Sequence, residues 1–297
     1  MAQRRALPAA LLCLAVLLAS APVQAQLTEN LGGLTDENFP GYLGPMNTGL
    51  SGTMNAGIFR TGHVPKAGFN LDVDLLTMAI GFEDEDMVYL PIDPEGFTSL
   101  EPTEVPTVIG SPDGVEVAGE GGLTQIYPGG FDLDGFEIAV PQVTVGSVFG
   151  TRAIIRYIMF DLGDTDVGDF KYFGIGAQHS LTQYFSDAPF DLAAGFLWQN
   201  FEVGETVDAT ATHFNITASK QYKYFRPYLG FGIDTIQTDA KYDDEEDPEN
   251  SFDVSLDRET DPRFTAGVAG TIPHFSIFFE ISSGAATSIA VGLSIGS

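Results

Sequence analysis

Cysteine is all but absent from this 297-residue chain: its one copy, Cys13, lies in an N-terminal stretch that reads as an export signal. The mature chain therefore has none, which excludes disulfides, cysteine-ligated zinc and thiol catalysis. Positive charge is also scarce. Lys and Arg number 13 against 41 Asp and Glu, for a net charge of −28, and none occurs between Lys66 and Arg152. Phosphate recognition runs on Lys and Arg, so a general nucleic-acid binder is excluded. Tryptophan occurs once, and beyond the N-terminus no apolar run reaches the ~20 residues of a membrane helix.

The first 25 residues have the parts of a signal peptide. Arg4 and Arg5 precede an apolar core from Leu7 to Leu18, and Val23-Gln24-Ala25 supplies small residues for cleavage before Gln26. The core is too short for an anchor. Leu11-Leu12 stand before Cys13 where a lipoprotein signal needs small residues. The protein is expected to be exported.

Glycine (34) and phenylalanine (23) are plentiful, and the dominant pattern is alternation with period two. Phe69, Leu71, Val73 and Leu75 alternate with Asn70, Asp72 and Asp74. Similar runs are Phe190 to Trp198, Leu229 to Ile233, Phe275 to Ile281 and Ile289 to Ile295, with weaker ones at 136–148, 151–158, 168–181, 207–221, 251–257 and 263–271. Several approach the length of a tilted strand that crosses the hydrocarbon. Aromatic residues gather near run ends (Phe149, Tyr157, Tyr172, Phe173, Trp198, Phe201, Tyr222, Tyr224, Phe225, Tyr228, Tyr242), as in interfacial girdles.

These features predict an all-β chain: a transmembrane antiparallel barrel of about twelve strands, within a range of 10–14. Short turns such as Ile272-Pro273 and Ser283-Gly284-Ala285 are expected on one side. Long acidic loops are expected on the other, including Glu83–Asp86, 91–130 and Asp243–Asp247. The expected division is a signal peptide at 1–25, a short helical or irregular segment at 26–50 in the barrel mouth, and the barrel at 51–297.

The chain also resembles a family of exported bacterial proteins that are outer-membrane barrels by prediction and are catalogued only as a domain of unknown function. The matching residues are Tyr42-Leu43-Gly44-Pro45, Asn55-Ala56-Gly57-Ile58-Phe59, Pro141-Gln142, Gly150-Thr151, Arg156-Tyr157, Tyr172-Phe173-Gly174-Ile175-Gly176, Gln178-His179-Ser180 and Pro189-Phe190-Asp191-Leu192. The resemblance implies a fold and an outer-membrane location, and no chemistry. One departure is Ser297, which stands where such barrels usually end in an aromatic residue.

Several constellations invite a chemical reading. His274-Phe275-Ser276 has the His-x-Ser spacing of lipid-modifying barrel esterases, with a base beside a hydroxyl. Phe275, Ile277, Phe279 and Ile281 claim the lipid side, however. His274 and Ser276 then face the lumen, with Glu280 about 13 Å away along the strand. They read as polar lumen residues. His179 reads as an outward residue near a strand end. His63 and His213 have no partner at metal spacing. The acidic run Tyr242–Asp247 reads as a solvated loop rather than a Ca²⁺ site, since it lacks the spaced D-x-D-x-D-G pattern. The general acidity also suits a saline habitat.

Asp72, Asp74, Arg152, Arg156, Asp191, Asp234 and Glu280 are expected to line the lumen. They form internal salt bridges or, alternatively, a charged constriction that selects solutes. Phe69, Leu71, Val73, Phe190, Leu192, Phe196, Phe231, Ile277, Phe279, Val291 and Leu293 are expected to face lipid. Expected partners are outer-membrane lipid, the assembly machinery and small solutes. No catalytic residue, cofactor or metal is expected. The expected role is passage or binding of small or hydrophobic solutes. The alternatives are a structural or adhesive barrel, a lipid esterase and a secreted soluble acidic β-protein.

Overall fold

The computed structural model describes residues 30–160, 169–185, 187–204, 206–242 and 251–296. The expected signal peptide, Asp243–Asp247 and Ser297 lie outside them. In chain order, helix α1 (Phe39–Met54) comes first, then β1 (Ala67–Gly81). The connection from 82 to 134 carries four short strands: β2 (Val88–Tyr89), β3 (Val105–Pro106), β4 (Val115–Ala118) and β5 (Thr124–Tyr127). Then follow β6 (Gly135–Val148), β7 (Thr151–Phe160), β8 (Phe170–Ser180), β9 (Asp191–Val203), β10 (Val207–Ser219), β11 (Phe225–Tyr242), β12 (Phe252–Ser255), β13 (Glu259–Ile272), β14 (Phe275–Ser283) and β15 (Thr287–Gly296).

Ten strands close into one antiparallel ring, β1-β6-β7-β8-β9-β10-β11-β13-β14-β15, with β15 returning to β1. Leu76 opposite Gly292 closes the first and last strands, and His213 opposite Asp234 joins β10 to β11. The ring leaves no free sheet edge, which is the condition for burying strands in lipid. About twelve strands were expected. The run at 251–257 forms β12, which pairs only with the far end of β11, from Asp239 opposite Ser255 to Tyr242 opposite Phe252. The 18-residue β11 outruns its neighbours, so β12 sits on its overhang outside the wall.

The chain termini of the wall define one end of the barrel. The connections at 149–150, 181–190, 220–224 and 273–274 lie there. The opposite end holds the 82–134 connection and the far ends of β7 and β11, but also the short turns from β9 to β10 and from β14 to β15. The two short turns singled out in the sequence thus fall at opposite ends, and loop length separates the ends only in part.

The N-terminal segment threads the ring. Phe39, Tyr42 and Leu43 of α1 pack with Val108, Ile109, Ala240 and Leu256 beyond the loop end. Leu50 and Met54 lie within the barrel against Leu76, Met78, Ile80, Phe136 and Ile138. The chain then descends to Pro65 and Lys66, whose carbonyls accept from Ser147 Oγ and Gly150 N at the terminal end. The wall therefore starts at Ala67, and residues 51–66 belong with the threading segment. Glycine makes the helix thin enough to fit. A Cβ at Gly52 would stand 2.8 Å from Ile80, and one at Gly41 would stand 2.3 Å from the Tyr89 ring.

Candidate functional site

The lumen has two halves. Toward the loops it is apolar, because α1 presents apolar residues to the wall and the wall answers with Leu76, Met78, Val140, Tyr172, Phe201 and Phe278. Toward the termini it is polar, and the extended segment from Asn55 to Lys66 is held there by wall side chains.

Two buried arginines grip the end of α1. A helix leaves its last four carbonyls without intrahelical partners. Arg263 of β13, fully buried, donates through Nη2 to Ser51 O and Gly52 O, both at 3.2 Å. Arg156 of β7, also fully buried, donates to Met54 O at 2.9 Å and to Ala56 O at 3.0 Å. Cations suit this end of a helix, where the macrodipole is negative. The arginines are oriented in turn: Arg263 Nε meets Asp234 at 2.5 Å, and Asp234 meets His213 Nδ1 at 2.5 Å. Arg156 Nε donates to Gln142 Oε1 at 2.9 Å.

Below α1, Gly57 N donates to Glu280 Oε1 at 2.7 Å, and Tyr228 Oη donates to Glu280 Oε2 at 3.0 Å. Gly57 has a φ of 69°, which favours glycine, and a Cβ there would also crowd Ala290. Arg60 pairs with Asp74 and lies 4.5 Å over the Phe278 ring. Gln178 Nε2 donates to Thr61 O at 2.8 Å.

A cavity of about 390 Å³ opens between this segment and the wall at the terminal end. Arg60, Arg152, Arg226, His63, His274, Asp72, Thr144 and Ser276 are among the residues that line it. Register shifts in the ladders, between Gly68 and Leu71 and between Val145 and Val148, loosen the wall beside it.

A family model described as a family of unknown function, DUF6588, matches residues 4–297. The chain belongs to that family. No curated protein matches it. Among solved structures it is similar to the outer membrane protease OmpT from Escherichia coli, at 10% identity over 79% of this chain and 96% of that one, with a TM-score of 0.31. It is also similar to the Ralstonia pickettii toluene transporter TbuX, at 11% identity over 90% and 98%, with a TM-score of 0.29. A BenF-like porin from Pseudomonas fluorescens Pf-5 matches at 9% identity over 78% and 98%, with a TM-score of 0.18. The ladder pairings, not these likenesses, establish the barrel.

All seven charged residues expected at the lumen point inward. Asp74, Arg156, Asp234 and Glu280 are buried, while Asp72, Arg152 and Asp191 are half-buried at the terminal end. They do not form one ring. Asp234 and Glu280 belong to the grip on the threading segment, and Arg152 and Asp72 belong to the cavity. Of the residues expected to face lipid, Leu192 is half-buried, Phe190 is exposed in the connection before β9, and the others are exposed on the outside of the wall, with Phe69 80% exposed.

The aromatic girdle needs correction at three positions. Tyr172, Phe201 and Tyr228 point inward and are buried, because their parity places them on the lumen face. Phe149, Tyr222, Tyr224 and Phe225 are exposed at the terminal rim.

The histidines acquire partners that spacing along the chain does not reveal. His213 joins Asp234, and His63 lies 3.3 Å from Asp191. His179 lies outward, with Thr151 at 2.7 Å and Tyr184 at 2.9 Å. His274 occupies the tight turn before β14 with a φ of 62°, bonded to Gly296 O rather than to Ser276. Arg60, Arg226 and Arg263 were not singled out in the sequence. Arg263 falls on the lumen parity of its run, two residues before Thr265, which is the one signal that identifies it.

Proposed function

We propose that this protein is an exported outer-membrane barrel that binds a small solute in its lumen and admits it across the membrane, without catalysis. The observation that carries this reading is a closed ring with an apolar exterior whose lumen is threaded by its own N-terminal segment and keeps a polar cavity at one end. A barrel filled this way suits binding and gated passage rather than free diffusion. The lining favours a polar solute over a hydrophobic one. The outer face supports the membrane setting: Ile289, Val291, Leu293 and Ile295 are exposed along about 20 Å of strand, close to the apolar band of outer-membrane barrels.

The test is fractionation and reconstitution. The protein is expected in the outer-membrane fraction, with heat-modifiable gel migration, and vesicles containing it are expected to take up small polar solutes. Release by a carbonate or urea wash would overturn the membrane assignment. A charge in the apolar band gives an independent check. Phe279→Lys is expected to cost roughly 2–4 kcal/mol of folding stability in lipid if Phe279 lies near the midplane. An unchanged urea midpoint in vesicles argues against a lipid-facing Phe279.

A second reading, a surface-binding barrel, draws on the cap between β1 and β6, where Leu90, Ile92, Leu100, Leu123 and Ile126 are exposed. Charged substitutions there that abolish attachment to a partner while leaving solute uptake intact would favour it.

A further inference from the structure

We propose that the cavity at the terminal end is an oxyanion site, in which Arg152 and Arg226 hold the carboxylate or phosphate group of a small solute. This rests on the lumen-binding reading and names the chemical class of its solute.

Arginine is rare in this acidic chain, yet three arginines line one cavity. Arg60 is committed to Asp74. The other two have no carboxylate of their own. Arg152 donates through Nε and Nη2, at 3.0 and 2.6 Å, to the neutral oxygen of Gln178, and neither Arg152 nor Arg226 forms an ion pair among the described residues. Arg226 Nε is buried with no hydrogen-bond partner. An unpaired guanidinium group that has lost part of its water is costly unless an anion completes it. The planar fork of donors matches a carboxylate or phosphate.

The groups facing the two arginines are limited. The Arg60 charge acts on both, and the Asp72 carboxylate, also on the lining, attracts both. Asp74 also acts on Arg152, and Asp191 acts on Arg226. Asp74 is already occupied by Arg60, and Asp191 lies beside His63. With the Arg60–Asp74 pair set aside, two guanidinium groups, Arg152 and Arg226, face one carboxylate on the lining, Asp72, and the lining is left positive. The volume, about 390 Å³, is in the range of small-molecule pockets.

The test measures binding of inorganic phosphate and of succinate to the full mature chain, folded in detergent, by calorimetry at constant ionic strength. Glycerol serves as the neutral comparison. Wild type is expected to bind at least one of the two anions, and the preferred one distinguishes a phosphate from a carboxylate solute. Arg152→Gln and Arg226→Gln are each expected to weaken that binding by roughly tenfold or more. Lys171→Gln, on the outside of β8, is expected to change nothing. Asp72→Asn keeps both arginines and removes the competing carboxylate, so it is expected to tighten binding several-fold. It decides the matter if the arginine variants do not fold.

The inference falls if neither anion binds better than glycerol, if both arginine variants bind as wild type does, or if Asp72→Asn weakens binding. Should anions fail to bind while vesicles still take up neutral solutes, this inference falls alone. Should the folded chain take up nothing and bind nothing, the lumen-binding reading falls with it.

Discussion

Arg263→Ala is expected to lower the unfolding free energy of the barrel by about 3–5 kcal/mol, the usual cost of removing one partner from a buried ion pair. Arg263 makes four interactions at once: with Asp234 at 2.5 Å, with Ser288 Oγ at 2.9 Å, and with the carbonyls of Ser51 and Gly52. Its loss strands the Asp234 carboxylate in the lumen with only His213 beside it, and takes a donor from the Ser51 and Gly52 carbonyls. Adding Asp234→Asn to Arg263→Ala is expected to recover part of the loss, because no orphan charge then remains. Urea titration of the detergent-folded protein, followed by its heat-modifiable band, reads both effects. A loss below about 1 kcal/mol for the single variant would show that the pair contributes no more than a surface contact.

The second large effect concerns passage. Arg156 and Arg263 together bond four carbonyls at the end of α1 and just beyond it. Removing both is expected to free the threading segment from the wall. Planar-bilayer recordings are then expected to show stepwise openings in Arg156→Ala/Arg263→Ala, where the filled wild-type lumen gives few or none. Equal traces from the two proteins, both folded, would mean that these contacts do not keep the lumen closed. The comparison depends on position rather than charge alone, since Arg152 lies in the same lumen but touches neither α1 nor its carbonyls.

The outer wall was legible in the sequence because one requirement, an apolar outer face, governs most of its length. Where one face must be apolar and the other is free to be polar, alternation survives, as at Phe69–Leu75 and Phe275–Ile281. The alternation fades just where α1 enters. Leu75, Leu76, Thr77, Met78, Ala79 and Ile80 are nearly all apolar because the odd residues face outward and the even ones meet the helix. Tyr172 and Phe201 read as girdle residues for the same reason: an apolar lumen wall and an apolar outer wall look alike in one dimension. The helix itself was obscured by its composition. Gly41, Gly44, Pro45, Gly49 and Gly52 argue against a helix by propensity, but Gly49 and Gly52 keep it narrow where it passes Ile80 of the wall.

Half of the cavity was legible. Parity on β1 and β7 placed Asp72 and Arg152 inward. Arg60 precedes any strand, and Arg226 stands at the start of β11, so neither carried a pattern. Their meeting depends on the threading segment crossing the whole barrel and on strands far apart in sequence closing beside it.

By itself, the sequence determined the antiparallel wall and which face of most strands looks outward. These follow from local composition and from a two-residue period that each strand carries on its own. Only the tertiary structure decided the ring of ten, the place of β12 outside it, the filling of the lumen by α1 and the sorting of inward charges into a grip and a cavity. Those depend on which strands become neighbours and on what occupies the space they enclose, and a buried arginine acquires its role only from the carbonyls and carboxylates that closure brings to it.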